Sequence, residues 1–479
     1  MRARKSGWLL LFGIILLFNG VALAQSNIYT FPGPDVDLGR IDVGTNSSGQ
    51  HYIGGRRATV YVLRQSGGSV YCHKSTDAGQ SFSPGIRVNS TPFGVNPTLK
   101  VDTAGVVYVA YQSGDADIYF SKSTDGGQTF IPAIKVNDDT VSQTGQEKPA
   151  IAVNNKGQVF ITWGDQRNMP PLSTRNLFFA ASYDSGRTFT PNIQVNDPAL
   201  PAIWGIDIAA DDSARVYVVW NSFLGPENKG PIYLVRSDDS GLTFPVQTLV
   251  TDLPTDTAWA RGFFPSLAFL GGIVGVAWED RRFEQYTLRF ASSSNYGQTF
   301  STSVVVDSSG QPQYPSLFWK HGNFYVVWRA THRRTPIGPD LDHIWFSYSR
   351  DSGKTFVPFK DAVPDDTNIV YHDWPSVWVS ETEKVFVAWA DARWDPFFNE
   401  NLHIFVSVGG PQGIVKGDLN LDGFISVKDV VLELNAVFYG DSFPAPFHRA
   451  DGNCDWKLTP ADMVLLLNRW YWNIPFPCS

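Results

Sequence analysis

The feature of the sequence that most restricts its fold is an eight-residue pattern, Ser-x-Asp-x-Gly-x-Thr-Phe, which occurs six times. The copies lie at 75–82, 123–130, 182–189, 237–244, 293–300 and 349–356. A period of roughly 50 residues is typical of propeller blades or solenoid turns. Short apolar runs precede most copies and follow several, so the pattern predicts a turn between two strands.

The residues of this pattern are those that a tight turn needs. An aspartate accepts hydrogen bonds from nearby backbone N–H groups, glycine adopts a positive φ, and the hydroxyl fixes the far side of the turn. The fifth copy has Asn295 for the aspartate, and the first has Ser81 for the threonine. Because an asparagine keeps the acceptor and loses the charge, we interpret the aspartates as structural rather than catalytic. The closing phenylalanine is expected to pack between sheets.

The number of blades follows from a second set of strands. Seven apolar strands, most with an aromatic residue near their end, accompany the six turns, and the last of them, at 384–391, is followed by one more strand at 401–408. The N-terminal segment 37–45 is expected to supply the missing outer strand and close the ring. The sequence therefore predicts an all-β, seven-bladed β-propeller, with six blades as the alternative.

The repeat resembles the Asp-box, or BNR, repeat of sialidases and related secreted propellers, over most of residues 27–410. This resemblance implies that the turns lie on the face opposite the ligand site and that the propeller is directed at a glycan. It departs from sialidases because no Arg-Ile-Pro sequence occurs, the nearest string being Gly39-Arg40-Ile41-Asp42, because the innermost strands carry no arginine, and because no Tyr–Glu nucleophile pair can be named. We expect carbohydrate binding or glycoside hydrolysis, with a non-catalytic adhesion or protein-binding propeller as the alternative.

A second repeat, Trp-x-Asp-x-Arg, is expected on the ligand face. Its copies are Trp163, Asp165, Arg167; Trp278, Asp280, Arg282; and Trp389, Asp391, Arg393. Alternate residues of a strand share a side, so each Asp can meet its Arg. Either the pair braces a loop beneath a packed Trp, or the arginines surround the mouth and hold a carboxylate or a pair of hydroxyls.

Under the second interpretation the repeat and its neighbours provide the candidate site. The candidate ligand-binding residues are Trp163, Asp165, Arg167, Trp278, Arg281 and Trp389. The candidate catalytic residues are Asp280, Arg282, Asp391, Arg393 and Asp373. A hydrolase with two carboxylates could also use Glu279. Further residues expected on this face are Trp204, Trp259, Arg261, Arg329, Arg333, Arg334, Tyr371, His372 and Trp374.

The C-terminal segment contains two calcium-loop patterns, with oxygen ligands at loop positions 1, 3, 5 and 12 and a backbone carbonyl at position 7. The first loop offers Asp418, Asn420, Asp422, Phe424 and Asp429. The second offers Asp451, Asn453, Asp455, Lys457 and Asp462. Such clustered carboxylates need a hard cation, so two Ca²⁺ ions are predicted.

An amphipathic helix is predicted after each loop, and the two loop–helix units resemble a type I dockerin, the module that binds a cohesin on a scaffold or surface protein. Trp456 departs from this pattern, because it stands where glycine is expected at position 6. The pairs at loop positions 10 and 11, Val427-Lys428 and Pro460-Ala461, do not identify a cohesin. A calcium-stabilised tail without a cohesin partner is the alternative.

The N-terminus and the composition indicate where the protein works. Residues 1–24 have the basic start, apolar run and small-x-small end of a secretory signal peptide, so a secreted or cell-surface protein is expected. The remaining domains are predicted at 25–408 (propeller), 409–416 (linker) and 417–479 (dockerin-like). The net charge of −8 argues against a nucleic-acid partner, and no later segment is apolar enough to span a membrane. Of three cysteines, Cys454 and Cys478 form the plausible pair.

Overall fold

A computed structural model describes most of the chain. The described residues are 29–32, 34–41, 52–140, 145–168, 175–222, 230–252, 262–282, 285–333, 340–363, 372–393, 402–411, 427–439, 450–451 and 457–472. The predicted signal peptide, Cys454 and Cys478 lie outside them. No helix in this part of the chain is long and apolar enough to cross a membrane.

The described residues between 29 and 411 form a seven-bladed β-propeller in which every blade is an antiparallel sheet. Blade 1 contains β3 (Ile53–Arg56), β4 (Thr59–Ser66), β5 (Ser69–Ser75) and β6 (Ile86–Arg87). Blade 2 contains β7 (Val95–Val101), β8 (Val107–Gln112), β9 (Ile118–Ser123) and β10 (Ile134–Lys135). Blade 3 contains β11 (Gln146–Val153), β12 (Val159–Asp165), β13 (Asn176–Ser182) and β14 (Ile193–Gln194).

The next three blades repeat this arrangement. Blade 4 contains β15 (Ala202–Ala210), β16 (Val216–Ser222), β17 (Ile232–Ser237) and β18 (Val246–Leu249). Blade 5 contains β19 (Gly262–Leu270), β20 (Ile273–Asp280), β21 (Thr287–Ser293) and β22 (Val304–Asp307). Blade 6 contains β23 (Gln313–Lys320), β24 (Asn323–Arg333), β25 (Asp340–Ser349) and β26 (Lys360–Asp361).

Blade 7 is built from both ends of the propeller sequence. Its inner strands are β27 (His372–Val379), β28 (Val385–Asp391) and β29 (His403–Pro411). Two N-terminal strands, β1 (Tyr29–Thr30) and β2 (Val36–Arg40), pair with the outer edge of β29. Seven blades and closure by the N-terminal segment are thus confirmed, with the strand at 36–40 in place of the expected 37–45. This pairing removes a free sheet edge.

A hydrophobic core lies between each pair of neighbouring blades. The phenylalanines that close the repeated turns belong to these cores, as predicted. Phe189 of blade 3 packs on Phe120 of blade 2, with ring centroids 5.3 Å apart, and Phe244 packs on Phe179 at 5.1 Å. Each turn is therefore anchored to the preceding blade as well as to its own sheet.

The repeated turns have the predicted geometry. In the third copy, Ser182 Oγ donates to Asp184 Oδ1 at 2.7 Å, Thr188 Oγ1 donates to Asp184 Oδ2 at 2.6 Å, and Gly186 has a φ of 81°. In the fifth copy Asn295 Oδ1 still accepts from the backbone, while its Nδ2 donates to Thr299 Oγ1 at 2.8 Å. The hydroxyl reverses its role, so the turn survives without the charge.

The described residues that follow the propeller include the helices α1 (Val427–Tyr439) and α2 (Pro460–Trp472). They contact one another through a small apolar cluster that includes Val430 and Leu466. Both begin where the calcium-loop patterns predict a helix. The dockerin-like arrangement as a whole is not established, because most loop residues lie outside the described part of the chain.

Candidate functional site

The Trp-x-Asp-x-Arg repeats lie on the face opposite the Asp-box turns, as the resemblance implied. In blade 3, Asp165 at the end of β12 pairs with Gln146 at the start of the innermost strand. Val159, at the other end of β12, pairs with Ser182, where the Asp-box begins. The ends of second strands and the starts of innermost strands therefore share one face, which we call the upper face.

Each Asp of the repeat is a fully buried acceptor for its own Trp and Arg. Asp280 accepts from Trp278 Nε1 at 3.0 Å and from Arg282 Nε and Nη2 at 2.7 and 2.8 Å. It also accepts from the backbone N–H of Arg282 at 3.0 Å. Asp165 and Asp391 make the same contacts, and none of the three tryptophans exposes any surface.

The arginines of the repeat extend to carboxylates at the outer edge of the ring. Arg167 reaches Asp138 at 2.7 Å and Arg282 reaches Asp252 at 3.1 Å, each in the connection that leaves the preceding blade. Arg393 reaches Asp35, just before β2, at 3.1 Å. These contacts correspond to the bracing interpretation of the repeat.

The placement of these residues differs from the ligand-binding interpretation in two ways. The rings of Trp163, Trp278 and Trp389 are enclosed by protein and present no face to a sugar. The arginines point toward the edge of the ring and bind the protein's own carboxylates rather than surround the central mouth. Sequence spacing could not separate the interpretations, because both require the same alternation along one strand.

A different set of residues lies at the mouth of the central channel on the upper face. In five blades, the innermost strand begins with a bulge in which a non-glycine residue with positive φ precedes a proline. These residues are Asn96, Lys148, Phe264, Tyr314 and Trp374, with φ between 45° and 55°. L-residues rarely adopt this conformation, and such strain is concentrated at functional sites.

Three of these residues form a partly exposed aromatic arc across blades 5, 6 and 7. Phe264 and Tyr314 meet edge to face with ring centroids 4.6 Å apart, and Tyr314 and Trp374 lie 6.4 Å apart. The bulges interrupt the regular alternation of side chains between the two faces of each sheet at these positions. The arc therefore presents partly exposed aromatic rings to a ligand at the mouth of the channel, whereas the tryptophans of the Trp-x-Asp-x-Arg repeat are fully buried.

Charged side chains gather beside this aromatic arc. Glu279 on β20 is fully buried, and its Oε1 accepts from Arg281 Nε at 2.5 Å. Arg281 lies between the rings of Phe263 and Tyr286, 4.6 and 4.4 Å from their centroids, and keeps 29% of its side chain exposed. Glu279 Oε2 has no hydrogen-bond partner within the described residues.

Two further charged residues complete the group, which we call the axial cluster: Glu279, Arg281, Tyr314, Arg329 and Asp373. Arg329 Nη1 donates to Gln313 Oε1 at 3.0 Å, next to Tyr314. Asp373 is fully buried, and its Oδ1 accepts from the backbone N–H of Trp374 at 3.0 Å. The cluster thus joins strands of blades 5, 6 and 7 at one point of the upper face.

The electrostatics of the axial cluster suit proton transfer. Burial, with a smaller contribution from the charge of Asp373, raises the pKa of Glu279 to about 7, although the charges of Arg281 and Arg329 oppose this shift. Burial also raises the pKa of Tyr314 to about 12, with contributions from Asp373 and Glu279. A carboxyl group with a pKa near neutrality can both give and accept a proton at physiological pH.

Part of this cluster was within reach of the sequence. Glu279, Arg281, Arg329, Asp373 and Trp374 had been expected on the upper face, whereas Tyr314 and Phe264 were missed. The signal was a third repeat: an aromatic residue followed by Pro-Ser at 264–266, 314–316 and 374–376. Of the other residues expected here, His372 is buried against Asp391 at 3.3 Å, and the side chains of Trp204, Trp259, Arg261, Arg333, Arg334 and Tyr371 lie outside the described part.

The predicted calcium ligands are only partly described. Asp418, Asn420, Asp422, Phe424, Asn453 and Asp455 lie outside the described residues. Asp429, Asp451 and Asp462 are buried, and Lys457 precedes α2. Asp462 Oδ2 also accepts from the backbone N–H and Oγ1 of Thr459 at 2.9 and 3.0 Å, which caps the first turn of α2.

A buried carboxylate that the sequence analysis did not single out lies beside this helix start. Glu433 on α1 is fully buried, and neither of its carboxylate oxygens has a hydrogen-bond partner in the described residues. Burial and the negative charge of Asp462 raise the pKa of Glu433 to about 8. No three acidic, histidine or cysteine side chains of the described residues lie close enough together to hold a metal ion, so the calcium sites stay a prediction.

Comparison with known proteins supports the fold. No family model and no curated protein matches the chain. An ulvan lyase, titled as a new polysaccharide lyase family PL25 bound to -[GlcA(1-4)Rha3S]-, aligns with a TM-score of 0.52 at 12% identity, covering 78% of this chain and 96% of that one. The Trypanosoma rangeli sialidase aligns with a TM-score of 0.45 at 12% identity, covering 85% and 62%.

A third structure is a protein of unknown function from Dyadobacter fermentans DSM 18053, with a TM-score of 0.47, 15% identity and coverage of 68% and 97%. At these identities the comparisons speak to the fold. The chain is a β-propeller, and the solved structures that are similar to it include sialidases and a polysaccharide lyase.

Proposed function

We propose that the propeller binds an acidic glycan at the axial cluster and cleaves a glycosidic bond there. The observation that carries this proposal is Glu279: a fully buried carboxyl group, with one oxygen unpartnered among the described residues, beside a tyrosine and two arginines. Keeping such a group costs stability, since a buried polar atom without a hydrogen bond is unfavourable. A carboxylate that only braces the structure has no need of an unpartnered buried oxygen, whereas a proton-transferring carboxyl group needs an oxygen available to the substrate.

The neighbouring residues define the substrate that would fit. Arg281 and Arg329 can hold a carboxylate or sulfate bidentately, and the partly exposed rings of Phe264 and Trp374 can contact the apolar face of a sugar. Tyr314 stays protonated at neutral pH and can donate a hydrogen bond to a ring or glycosidic oxygen. Glu279 would transfer the proton during bond cleavage.

The ligand bound to the ulvan lyase is consistent with this class of substrate. It contains a glucuronate joined to a sulfated rhamnose, so it carries both kinds of anionic group. The likeness shows the fold alone, so the substrate class for this chain rests on the arginines and rings of its own axial cluster. Hydrolysis and elimination both need a proton-transferring group, and the products distinguish them.

The test is a panel of acidic and neutral polysaccharides and aryl glycosides, sialosides included, assayed for new reducing ends and for the ultraviolet absorbance of unsaturated uronates. We expect turnover by the wild type, loss of at least 100-fold in Glu279→Gln, and wild-type rates in Asp197→Asn, an exposed control. Turnover that survives Glu279→Gln would refute the assignment of Glu279. Saturable glycan binding without turnover would favour the non-catalytic alternative.

We also propose that residues 417–479 form a calcium-binding, dockerin-like module and that the protein is secreted. Support comes from the two loop patterns, from helices that begin at the predicted points, and from the buried Asp429, Asp451 and Asp462. When bound, Ca²⁺ would neutralise these carboxylates. A cohesin-bearing scaffold or surface protein is the proposed partner.

Three measurements test this second proposal on the full chain. Calcium titration should show two sites, and Asp418→Asn should remove the first while leaving the second. Chelation should lower the helical circular dichroism signal, and intact helices without calcium would contradict the proposal. N-terminal sequencing of protein exported by a bacterial host should begin at Gln25.

A further inference from the structure

The opposite mouth of the central channel, on the face of the Asp-box turns, contains a separate cavity of about 200 Å³. It lies among the ends of the innermost strands of blades 1, 2, 6 and 7. Two glycines at the end of β3, Gly54 and Gly55, help form its wall. A Cβ atom at Gly55 would lie 2.9 Å from the ring of Trp378, so the wall has no room for a side chain there.

Five charged side chains line this cavity, and the two carboxylates among them are already satisfied. Asp102 accepts from the backbone N–H groups of Ala104 and Val106 at 2.9 Å each and from the hydroxyl of Tyr108 at 2.9 Å. Glu381 pairs with Lys320 Nζ at 2.6 Å and with His321 at 3.5 Å. Both acids therefore already have hydrogen-bond or ion-pair partners in the protein.

Of the three cations that line the cavity, Lys320 is paired with Glu381, whereas Lys100 and Arg56 have no acidic partner at contact distance among the described residues. Lys100 Nζ makes no hydrogen bond or ion pair within the described residues. The negative charge of Asp207 acts on it from beyond contact distance and raises its pKa, against the larger effect of burial. Arg56 donates through Nη1 to the carbonyl of Ala104 at 3.3 Å and forms no salt bridge in the same part of the chain. Burial lowers the pKa of Lys100, which is the cost of holding an ammonium group there without a counter-ion.

We propose that this cavity is a binding site for a small oxyanion, a sulfate or the carboxylate of a monosaccharide acid, held between Lys100 and Arg56. Trp378 and Phe318 supply an apolar wall for the rest of a sugar acid. The volume is below the range of roughly 300–1,000 Å³ for drug-sized ligands, so the ligand is a single small group rather than a polymer. The site lies on the face opposite the axial cluster and is independent of catalysis there.

The proposal is tested by calorimetric titration of the full chain with sodium sulfate and, separately, with glucuronate at constant ionic strength maintained with chloride. We expect saturable binding of one equivalent of at least one of them. Lys100→Met should weaken it at least tenfold and Arg56→Met several-fold, whereas Lys156→Met, an exposed lysine on the same face, should leave it unchanged.

The two probes separate a free inorganic anion from a sugar acid. Absence of saturable binding with either probe overturns the proposal, and so does unchanged affinity in Lys100→Met. If Lys100→Met does not fold, Arg56→Met is used in its place, and unchanged affinity in that variant overturns the proposal. Loss of glycan turnover in Glu279→Gln with sulfate binding retained would show that the two sites are separate.

Discussion

Substitution of Asp280 by asparagine tests whether the Trp-x-Asp-x-Arg repeat is structural. Asp280 accepts four hydrogen bonds, all from donors of Trp278 and Arg282. An asparagine would turn its own N–H₂ group toward one of those donors, and Arg282 would lose its buried counter-charge. The variant should therefore be clearly less stable than the wild type.

The magnitude follows from the burial of the pair. Breaking a buried ion pair costs about 3–5 kcal/mol. Because Arg282 keeps its contact with Asp252 at 3.1 Å and exposes 14% of its side chain, the lower end applies, about 3 kcal/mol. At a urea m-value of about 3 kcal/mol/M, the unfolding midpoint should fall by about 1 M.

The assay is urea unfolding followed by intrinsic fluorescence, beside glycan turnover measured well below the midpoint. Asp197→Asn is the matched control, because its exposed carboxylate accepts only one backbone N–H and an amide oxygen can replace it. Asp280→Asn should lose stability and keep its turnover per folded molecule. An unchanged midpoint together with abolished turnover would refute the bracing interpretation and restore Asp280 as a catalytic residue.

The other predictions concern the axial cluster, the repeated turns and the blade interfaces. Glu279→Gln should lower turnover and make stability depend less on pH. The pKa of Glu279 is near 7 in the folded protein and lower in the unfolded chain, so wild-type stability should fall as pH rises from about 4.5 to 7. Urea unfolding midpoints measured across that range would show the difference between the two proteins. Asp184→Ala should lower the free energy of unfolding by about 2 kcal/mol, and Asp184→Asn by under about 1 kcal/mol, because Asn295 occupies the equivalent position of the fifth turn. Equal losses in thermal unfolding would contradict the view that the turn needs only a hydrogen-bond acceptor at this position. Phe244→Ala should cost about 2–3 kcal/mol, below the range for a fully buried ring, because the partly buried ring packs on Phe179 of the preceding blade. A loss below about 1 kcal/mol in the same measurement would mean that the turn is not anchored there.

Glu279 and Asp280 are adjacent in sequence, and the alternation of side chains along β20 gives them different surroundings. Consecutive residues of β20 point to opposite faces of blade 5. Asp280 turns toward Trp278 and Arg282 at the outer brace, whereas Glu279 turns toward Arg281 and the neighbouring blades. Both carboxylates are fully buried, yet one is saturated with donors and the other is not. Sequence spacing identified both as candidates without indicating which of them has an oxygen that lacks a hydrogen-bond partner among the described residues.

The sequence by itself determined the repeating unit of this protein. The Asp-box is a local device, since its hydrogen bonds join residues at most four apart, and the position and geometry of its turns could be derived from eight letters. The blade count and the closure by the N-terminus followed from counting strands. These inferences succeeded because each depends on short-range contacts or on the need to cover a sheet edge.

Only the tertiary structure decided where the chemistry lies. The axial cluster joins β20, β23, β24 and β27, and nothing in the spacing of Glu279, Tyr314 and Asp373 reveals that three blades bring them together. The partner of each repeat arginine is likewise an aspartate from another blade or from the N-terminus. The closure of the ring sets these long-range distances, so burial and partners at the upper face become known only once the blades are assembled.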